Sequence, residues 1–243
     1  MSGLSNESYV LVFAGGEYPP PGRAAPVLNA LGSSPQAVLG ADSGLEGALV
    51  YGRFFGFGLD LVIGDMDSAP PSLLASLPRS KLEVHPRDKD DTDTVLALKR
   101  ARALAAGPNG GTVVLVGGAG GRLDHALGIH GILGEDFSPD LWLTGEQAVW
   151  VLGKGRPGLE VSGLRRDDPV SVFPARGARR LRAEGLRWPL GGLDWAAGAF
   201  SLSNEIDPRH GQGPVGFHAE EGAFAVFLPL EERIHARPIK AAL

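Results

Sequence analysis

Three short polar segments of this 243-residue chain contain the residue types that bind metal ions and phosphate. They are Gly64-Asp65-Met66-Asp67-Ser68, Asp90-Asp91-Thr92-Asp93 and Gly120-Gly121-Arg122-Leu123-Asp124-His125. Several carboxylates held close together repel one another, and a bound cation removes that repulsion. Mg²⁺ prefers oxygen ligands and usually binds one or two carboxylates together with phosphate oxygens and water. The segments therefore predict magnesium-assisted chemistry on a nucleotide phosphate.

Each segment also has a simpler structural interpretation. Asp65 and Asp67 would point the same way from an extended segment, but Asp and Gly also favour solvated turns. Asp90 and Asp93 would equally suit the start of a helix, where negative charge is stabilising. The run Gly117–Gly121 is a candidate phosphate-binding loop, although neither a Walker A nor a dinucleotide-binding pattern is present. Beside it, Arg122 could bind phosphate, and His125 could be a structural histidine.

The elements that would position these segments can be read from the apolar pattern. Short apolar runs at Tyr9–Ala14, Ala37–Gly40, Asp60–Ile63 and Thr112–Val116 each end in Gly or Asp, which predicts buried strands followed by loops. Apolar residues on one face predict a helix from Thr92 to Ala106, capped by Asp91 or Thr92 and ended by Gly107-Pro108. Because ligands of open α/β sheets bind at the carboxyl ends of strands, these loops are expected to share one crevice.

The pattern changes near residue 145. Short extended segments separated by Gly and Pro replace the helical periodicity: Ala148–Leu152, Val170–Phe173, Ala199–Ser203 and Ala223–Phe227. This spacing is typical of an all-β sandwich or barrel. We therefore predict an α/β domain with an open, mostly parallel sheet over residues 1–144, and a β-sandwich domain over residues 145–243.

Composition excludes several classes of protein. The formal net charge is −5, so no general attraction to nucleic acid is expected. With 0 Cys, disulfides and thiolate chemistry are excluded. No apolar run has the ~18 residues of a membrane span, and the polar N-terminus Met1–Ser8 lacks the pattern of a signal peptide. We expect a cytoplasmic protein without membrane partners.

Taken together, these segments resemble the thiamine pyrophosphokinase family over most of the chain. Ala41-Asp42-Ser43-Gly44 is similar to that family's Ala-Asp-Gly-Gly, and Gly64–Ser68 to its Gly-Asp-Phe-Asp-Ser. Lys89–Asp93 corresponds to its Asp-x-Thr-Asp helix start, and Gly117–His125 to its glycine-rich stretch. In the second half, Gly185–Leu190 and Ser201–Glu205 resemble its Gly-Leu-x-Tyr/Trp-x-Leu and Ser-Asn segments. Met66 and Ser43 replace the family's usual Phe and Gly.

The resemblance implies ATP-dependent transfer of a diphosphate to the hydroxyl of thiamine, with Mg²⁺, in a homodimer whose sites are shared between subunits. It implies metal-binding and catalytic roles for Asp65, Asp67, Asp93 and Asp124, one of which would accept the hydroxyl proton. Trp188, Ser203 and Asn204 would bind thiamine. ATP and its phosphates would be bound by Asp42, Ser43, Gly44, Asp90, Thr92, Gly120, Gly121, Arg122 and His125.

Two rival functions remain open from the sequence. One is a pyrophosphokinase that acts on another alcohol, such as a pterin, against which Trp188 and Ser203-Asn204 argue only through the resemblance. The other is a nucleotide-binding sensor without turnover. A pure binding protein needs fewer carboxylates than this chain carries, which disfavours the sensor.

Overall fold

The predicted strands of the first half form a parallel sheet in the computed structural model, which describes residues 8–106, 111–211 and 213–239. The strands are β1 (Tyr9–Phe13), β2 (Ala37–Ala41), β3 (Leu61–Gly64), β4 (Leu82–Val84), β5 (Thr112–Val116) and β6 (Leu141–Leu143). Their order in the sheet is β6-β5-β1-β2-β3-β4, and every pair of neighbours is parallel. In the sheet, β2, β3 and β4 lie on one side of β1, whereas β5 and β6 lie on the other. The direction in which strands are added therefore reverses at β1. This confirms the predicted open α/β sheet.

Residues of β1, β2 and β5 are buried along their whole length, as expected for a parallel sheet covered on both faces. Four of the five described α-helices lie next to one of these strands along the chain. None of the described helices is long and apolar enough to cross a membrane. The helices are α1 (Pro21–Leu31), α2 (Leu45–Phe55), α3 (Pro71–Ala75), α4 (Asp93–Ala105) and α5 (Leu123–Gly131).

Helix α4 follows the predicted period. Ala97, Leu98, Ala101 and Ala105 are buried, whereas Leu104 is 37% exposed. The Oγ1 atom of Thr92 accepts a hydrogen bond from the backbone N–H of Val95 (3.3 Å), so Thr92 caps the helix. The predicted stop at Gly107-Pro108 and the N-terminal segment 1–7 lie outside the described residues.

The second half is all-β, as predicted. Its strands are β7 (Gln147–Leu152), β8 (Gly158–Ser162), β9 (Val170–Pro174), β10 (Arg180–Glu184), β11 (Ser201–Asn204), β12 (Val215–Glu221), β13 (Phe224–Pro229) and β14 (His235–Ile239). They pair in two antiparallel sets, with orders β11-β9-β13-β7 and β10-β12-β8-β14. The turns between them contain the Gly and Pro residues that interrupt the sequence pattern.

Two compact units follow from these elements. One comprises Met1–Ala126 with Leu141–Gly145, and the other comprises Leu127–Asp140 with Glu146–Leu243. The two domains predicted over residues 1–144 and 145–243 remain a prediction. Residues 127–140 belong to the second unit although they precede β6 in the chain. No shift in composition indicated this assignment.

Gly44 is required where the loop after β2 passes the end of β1. A Cβ atom at Gly44 would lie 2.0 Å from the carbonyl oxygen of Phe13. We expect Gly44→Ala to lower the free energy of unfolding by at least about 2 kcal/mol, because the clash is with backbone. Gly58→Ala is the control, since a Cβ there meets nothing within 4 Å. Urea denaturation of both variants measures the difference, and equal midpoints would contradict the expectation.

Candidate active site

Three carboxylates converge at the carboxyl ends of the parallel strands. Asp42 follows β2, Asp65 follows β3, and Asp93 is the first residue of α4. One oxygen from each lies within 4.8 Å of the oxygens of the other two. Asp42 is buried, and the other two are partly buried. Water screens the charges of buried and partly buried carboxylates poorly, so these three carboxylates repel one another. A bound cation would relieve this repulsion.

The backbone around Gly64 allows this convergence. Gly64 has a φ of +149°. A Cβ at Gly64 would lie 2.8 Å from Cγ of Asp93 and 3.2 Å from Cβ of Asp42. Asp42 itself has a φ of +45°, and its Oδ1 atom accepts a hydrogen bond from the backbone N–H of Ala69 (3.1 Å). A non-glycine residue in this region carries backbone strain, which is common at functional sites.

Lys89 lies between two of these carboxylates. Its ammonium nitrogen is 3.1 Å from Oδ1 of Asp93 and 3.4 Å from Oδ2 of Asp65. Burial raises the pKa of Asp93, and Lys89 opposes that rise. Burial alone would lower the pKa of Lys89, but its two carboxylate partners raise it above the ordinary value.

The three carboxylates fit a hard divalent cation. Their ligand atoms are all oxygens, the donors that Mg²⁺ prefers. Oδ1 of Asp93 is buried and accepts no well-aligned hydrogen bond, even though the ammonium of Lys89 is near it. A buried oxygen in that state is costly unless a ligand satisfies it.

Asp67 lies outside this group of three. The sequence pattern assumed an extended segment, but Met66 has a φ of +64°, so Asp65 and Asp67 do not follow strand alternation. Asp67 accepts a hydrogen bond from the hydroxyl of Ser68 (2.9 Å) and pairs with Arg87. These two partners lower the pKa of Asp67.

Four glycines after β5 adopt conformations that other residues rarely tolerate. Gly117, Gly118, Gly120 and Gly121 all have positive φ values. Gly120 and Gly121 are exposed, so their backbone is accessible to an anion. A Cβ at Gly120 would lie 2.4 Å from the side chain of Glu17. The packing of Glu17 against this loop was not predicted, although the residue directly follows Gly15-Gly16.

Asp124 and Arg122 pair with each other. Nε of Arg122 donates to Oδ1 of Asp124 (3.1 Å), and the Arg122 Nη2 atom lies 2.5 Å from Oδ2. This pairing lowers the pKa of Asp124. Both side chains are exposed, as is His125. The structure thus does not bring Asp124 into the group of three carboxylates.

Other residues predicted to bind ATP are neighbours in sequence of the three carboxylates, and their side chains have different surroundings. A Cβ at Gly15 would lie 2.3 Å from the Ser43 hydroxyl oxygen, so this hydroxyl packs against the loop after β1. Asp90 is exposed, and Thr92 caps α4. Asp42 was predicted only as an ATP-binding residue, and its place among the three carboxylates was not predicted.

Within the second unit, Asn204 holds the backbone of Trp188. The Asn204 Oδ1 atom accepts from the N–H of Trp188 (3.1 Å), and its Nδ2 donates to the Trp188 carbonyl oxygen (2.8 Å). Oδ1 also accepts from the N–H of Glu205 (2.9 Å). Asn204 has no exposed surface, whereas Trp188 is 49% exposed. The Asn204 amide therefore fixes the position of an exposed indole.

One face of that indole is already occupied. The guanidinium carbon of Arg187 lies 4.8 Å from the centre of the Trp188 ring. An ion pair with Glu205 holds Arg187 in this position, with 2.7 Å between Nη1 of Arg187 and Oε2 of Glu205. Ser203 is also exposed, with a φ of +50°, and its N–H donates to the hydroxyl of Ser171 (3.0 Å). About half of the Trp188 surface remains exposed beside Arg187.

Comparisons with known proteins agree with the resemblance of the sequence. Residues 28–138 match the family model of the thiamin pyrophosphokinase catalytic domain. No curated protein matches the chain. Among solved structures, a thiamin pyrophosphokinase family protein from Enterococcus faecalis is 22% identical, with a TM-score of 0.64, over 91% of this chain and 98% of that chain.

Two further solved structures are similar over the same share of the chain. Thiamin pyrophosphokinase from Geobacillus thermodenitrificans has a TM-score of 0.63 at 21% identity, covering 91% of this chain and 97% of that one. The enzyme from Bacillus subtilis has a TM-score of 0.63 at 18% identity, covering 91% and 99%. At this identity, the structures establish the fold. The matched segment 28–138 contains Asp42, Asp65 and Asp93, so the similarity to the thiamin pyrophosphokinase catalytic domain extends over all three carboxylates.

Proposed function

We propose that this protein transfers the diphosphate of ATP to the hydroxyl of thiamine, giving thiamine diphosphate and AMP. The convergence of Asp42, Asp65 and Asp93, inside the segment that matches the catalytic domain of this family, carries the proposal. The thiamine oxygen would attack the β-phosphorus of ATP. The bond from that phosphorus to the oxygen shared with the α-phosphate would break, and AMP would leave with this oxygen while the hydroxyl proton passes to a base.

The residues of the first unit would bind and orient the triphosphate. Asp42, Asp65 and Asp93 would hold Mg²⁺, which when bound neutralises charge on the phosphates. The exposed N–H groups of Gly120 and Gly121 would donate to phosphate oxygens. Arg122 is exposed beside this loop and would bind phosphate in exchange for its present partner, Asp124. Phosphoryl transfer depends mainly on such positioning and charge stabilisation.

The residues of the second unit would bind thiamine. Its aminopyrimidine would stack on the exposed part of the Trp188 ring, and its cationic thiazolium would favour the aromatic ring. The exposed hydroxyl of Ser203 is available for a hydrogen bond. Asn204 is buried, and we propose that it acts by holding Trp188.

An assay with ATP, Mg²⁺ and thiamine tests the function. We expect equimolar AMP and thiamine diphosphate, measured by chromatography, and no AMP when thiamine is omitted. Release of AMP with a pterin alcohol but not with thiamine would favour the rival pyrophosphokinase. Binding of ATP without any AMP would favour a sensor. A cytoplasmic location remains a prediction.

We also propose that the protein is a homodimer with shared sites, as the family resemblance implies. In a dimer of this kind, Asp65 of one subunit and Trp188 of the other would serve the same site. Mixing Asp65→Asn chains with Trp188→Ala chains is then expected to restore about one intact site per heterodimer. Activity after subunit exchange, verified with two affinity tags, measures this. No recovery in verified heterodimers would rule out shared sites.

A further inference from the structure

Lys89 is a candidate for a role at the carboxylate group that the motifs do not assign. Its side chain is 14% exposed, as is that of Asp65, and Asp93 is 21% exposed. A lysine ammonium is seldom buried to this extent unless it is paired. Both of its ion pairs are with members of the group that would bind the metal. The ammonium therefore occupies the side of the group between Asp65 and Asp93.

The positions of the atoms imply competition between this ammonium and a metal ion. Oδ1 of Asp93, the oxygen 3.1 Å from the ammonium, is also the buried oxygen that accepts no well-aligned hydrogen bond. A metal ion bound to that oxygen would lie close to Lys89, and two positive charges at that distance repel strongly outside bulk water. The ammonium and the cation would therefore compete for this oxygen.

We propose that Lys89 is a positioning residue that neutralises Asp65 and Asp93 before the metal binds, and that Mg²⁺ displaces its ammonium from them. The proposal rests on the proposed function only in taking the three carboxylates as the metal site. The displaced ammonium would remain at the start of α4, where the phosphates of ATP offer new anionic partners. Lys89 thus stabilises the metal-free carboxylates and weakens the binding of Mg²⁺ alone.

Calorimetric titration with Mg²⁺ in the absence of nucleotide tests the competition. We expect Lys89→Met to bind Mg²⁺ at least about tenfold more tightly than the original protein, because a nearby positive charge is removed. Lys99→Met is the matched control. Lys99 also pairs with a carboxylate, Asp91 at 2.6 Å, but Asp91 is outside the group of three. The control variant should bind Mg²⁺ within about twofold of the original protein.

Thermal melts supply a second readout that does not depend on turnover. In EDTA, Lys89→Met should melt below the original protein, and Mg²⁺ should raise its melting temperature by more than it raises that of the original. Lys89→Gln should behave alike, whereas Lys89→Arg should retain most of the original behaviour. A variant that folds only with Mg²⁺ present would also support displacement.

Two results would overturn the proposal. One is a Lys89→Met variant that folds and binds Mg²⁺ no more tightly than the original protein. The other is a failure of both Lys89→Met and Lys89→Gln to fold even in saturating Mg²⁺, since the metal is proposed to replace the ammonium. Failure of the function is distinguishable: the original protein would then make no AMP from ATP and thiamine, whatever the Mg²⁺ titrations show.

Discussion

Replacement of Asp93 by Asn is expected to lower kcat by about 10³-fold or more, and Asp42→Asn and Asp65→Asn should do the same. Each substitution keeps the shape of the side chain but removes one charge from the group whose oxygens lie within 4.8 Å of one another. A bound cation would lose a ligand with a full negative charge. Initial rates at saturating ATP and thiamine, measured over a series of Mg²⁺ concentrations, test the expectation.

Two neighbouring aspartates provide controls for this series. Asp91→Asn changes a residue that pairs with Lys99 outside the group, and it should keep near-normal turnover. Asp67→Asn removes a carboxylate that pairs with Arg87 and lies outside the group, so we expect a smaller loss than for Asp93→Asn. If Asp65→Asn and Asp93→Asn both retained turnover within about tenfold of the original protein at saturating Mg²⁺, the metal assignment would be wrong.

Replacement of Trp188 by Ala is expected to raise the KM for thiamine by about tenfold, with little change in the KM for ATP. The indole would supply a stacking surface, which Phe or Tyr at this position should partly restore. Because Trp188 is 49% exposed, its removal should cost less than about 1 kcal/mol of stability. Michaelis curves for both substrates and a thermal melt of each variant measure these effects.

Trp195 is the matched control for Trp188. It is 3% exposed and packs edge-on against Phe224 at 5.2 Å between ring centres. Trp195→Ala should therefore cost about 3–5 kcal/mol of stability by leaving a cavity. If Trp188→Ala lowered the melting temperature as much as Trp195→Ala and left the KM for thiamine unchanged, Trp188 would be a structural residue and not part of the site.

Local patterns in the sequence determined the elements that carry the site. The apolar runs ending in Gly or Asp predicted β1, β2, β3 and β5 within one or two residues, because a buried parallel strand must be apolar throughout. The apolar period of α4 and its capping residue Thr92 were likewise predicted from neighbouring residues in the sequence. The three-residue strands β4 and β6 were not predicted, since so short a run carries no detectable period.

The membership of the carboxylate group was decided by tertiary structure. Asp42, Asp65 and Asp93 come from separate segments, and they meet because β2 and β3 are adjacent and Gly64 leaves room between them. The left-handed backbone of Met66 separates Asp67 from Asp65, and the pairing of Asp124 with Arg122 leaves it outside the group. Spacing along the chain cannot reveal such differences, because they depend on dihedral angles and on partners from other segments.

Tertiary structure likewise distinguished the tryptophans and identified Lys89. Trp188 and Trp195 are close in sequence, yet the first is exposed and the second is buried, because burial depends on the strands packed around each ring. The sequence by itself indicated the resemblance to a family, the two classes of fold and the carboxylates available to a cation. Only the folded chain decided which of them converge and that Lys89 lies between two of them, since charges interact through distance in space and not through separation along the chain.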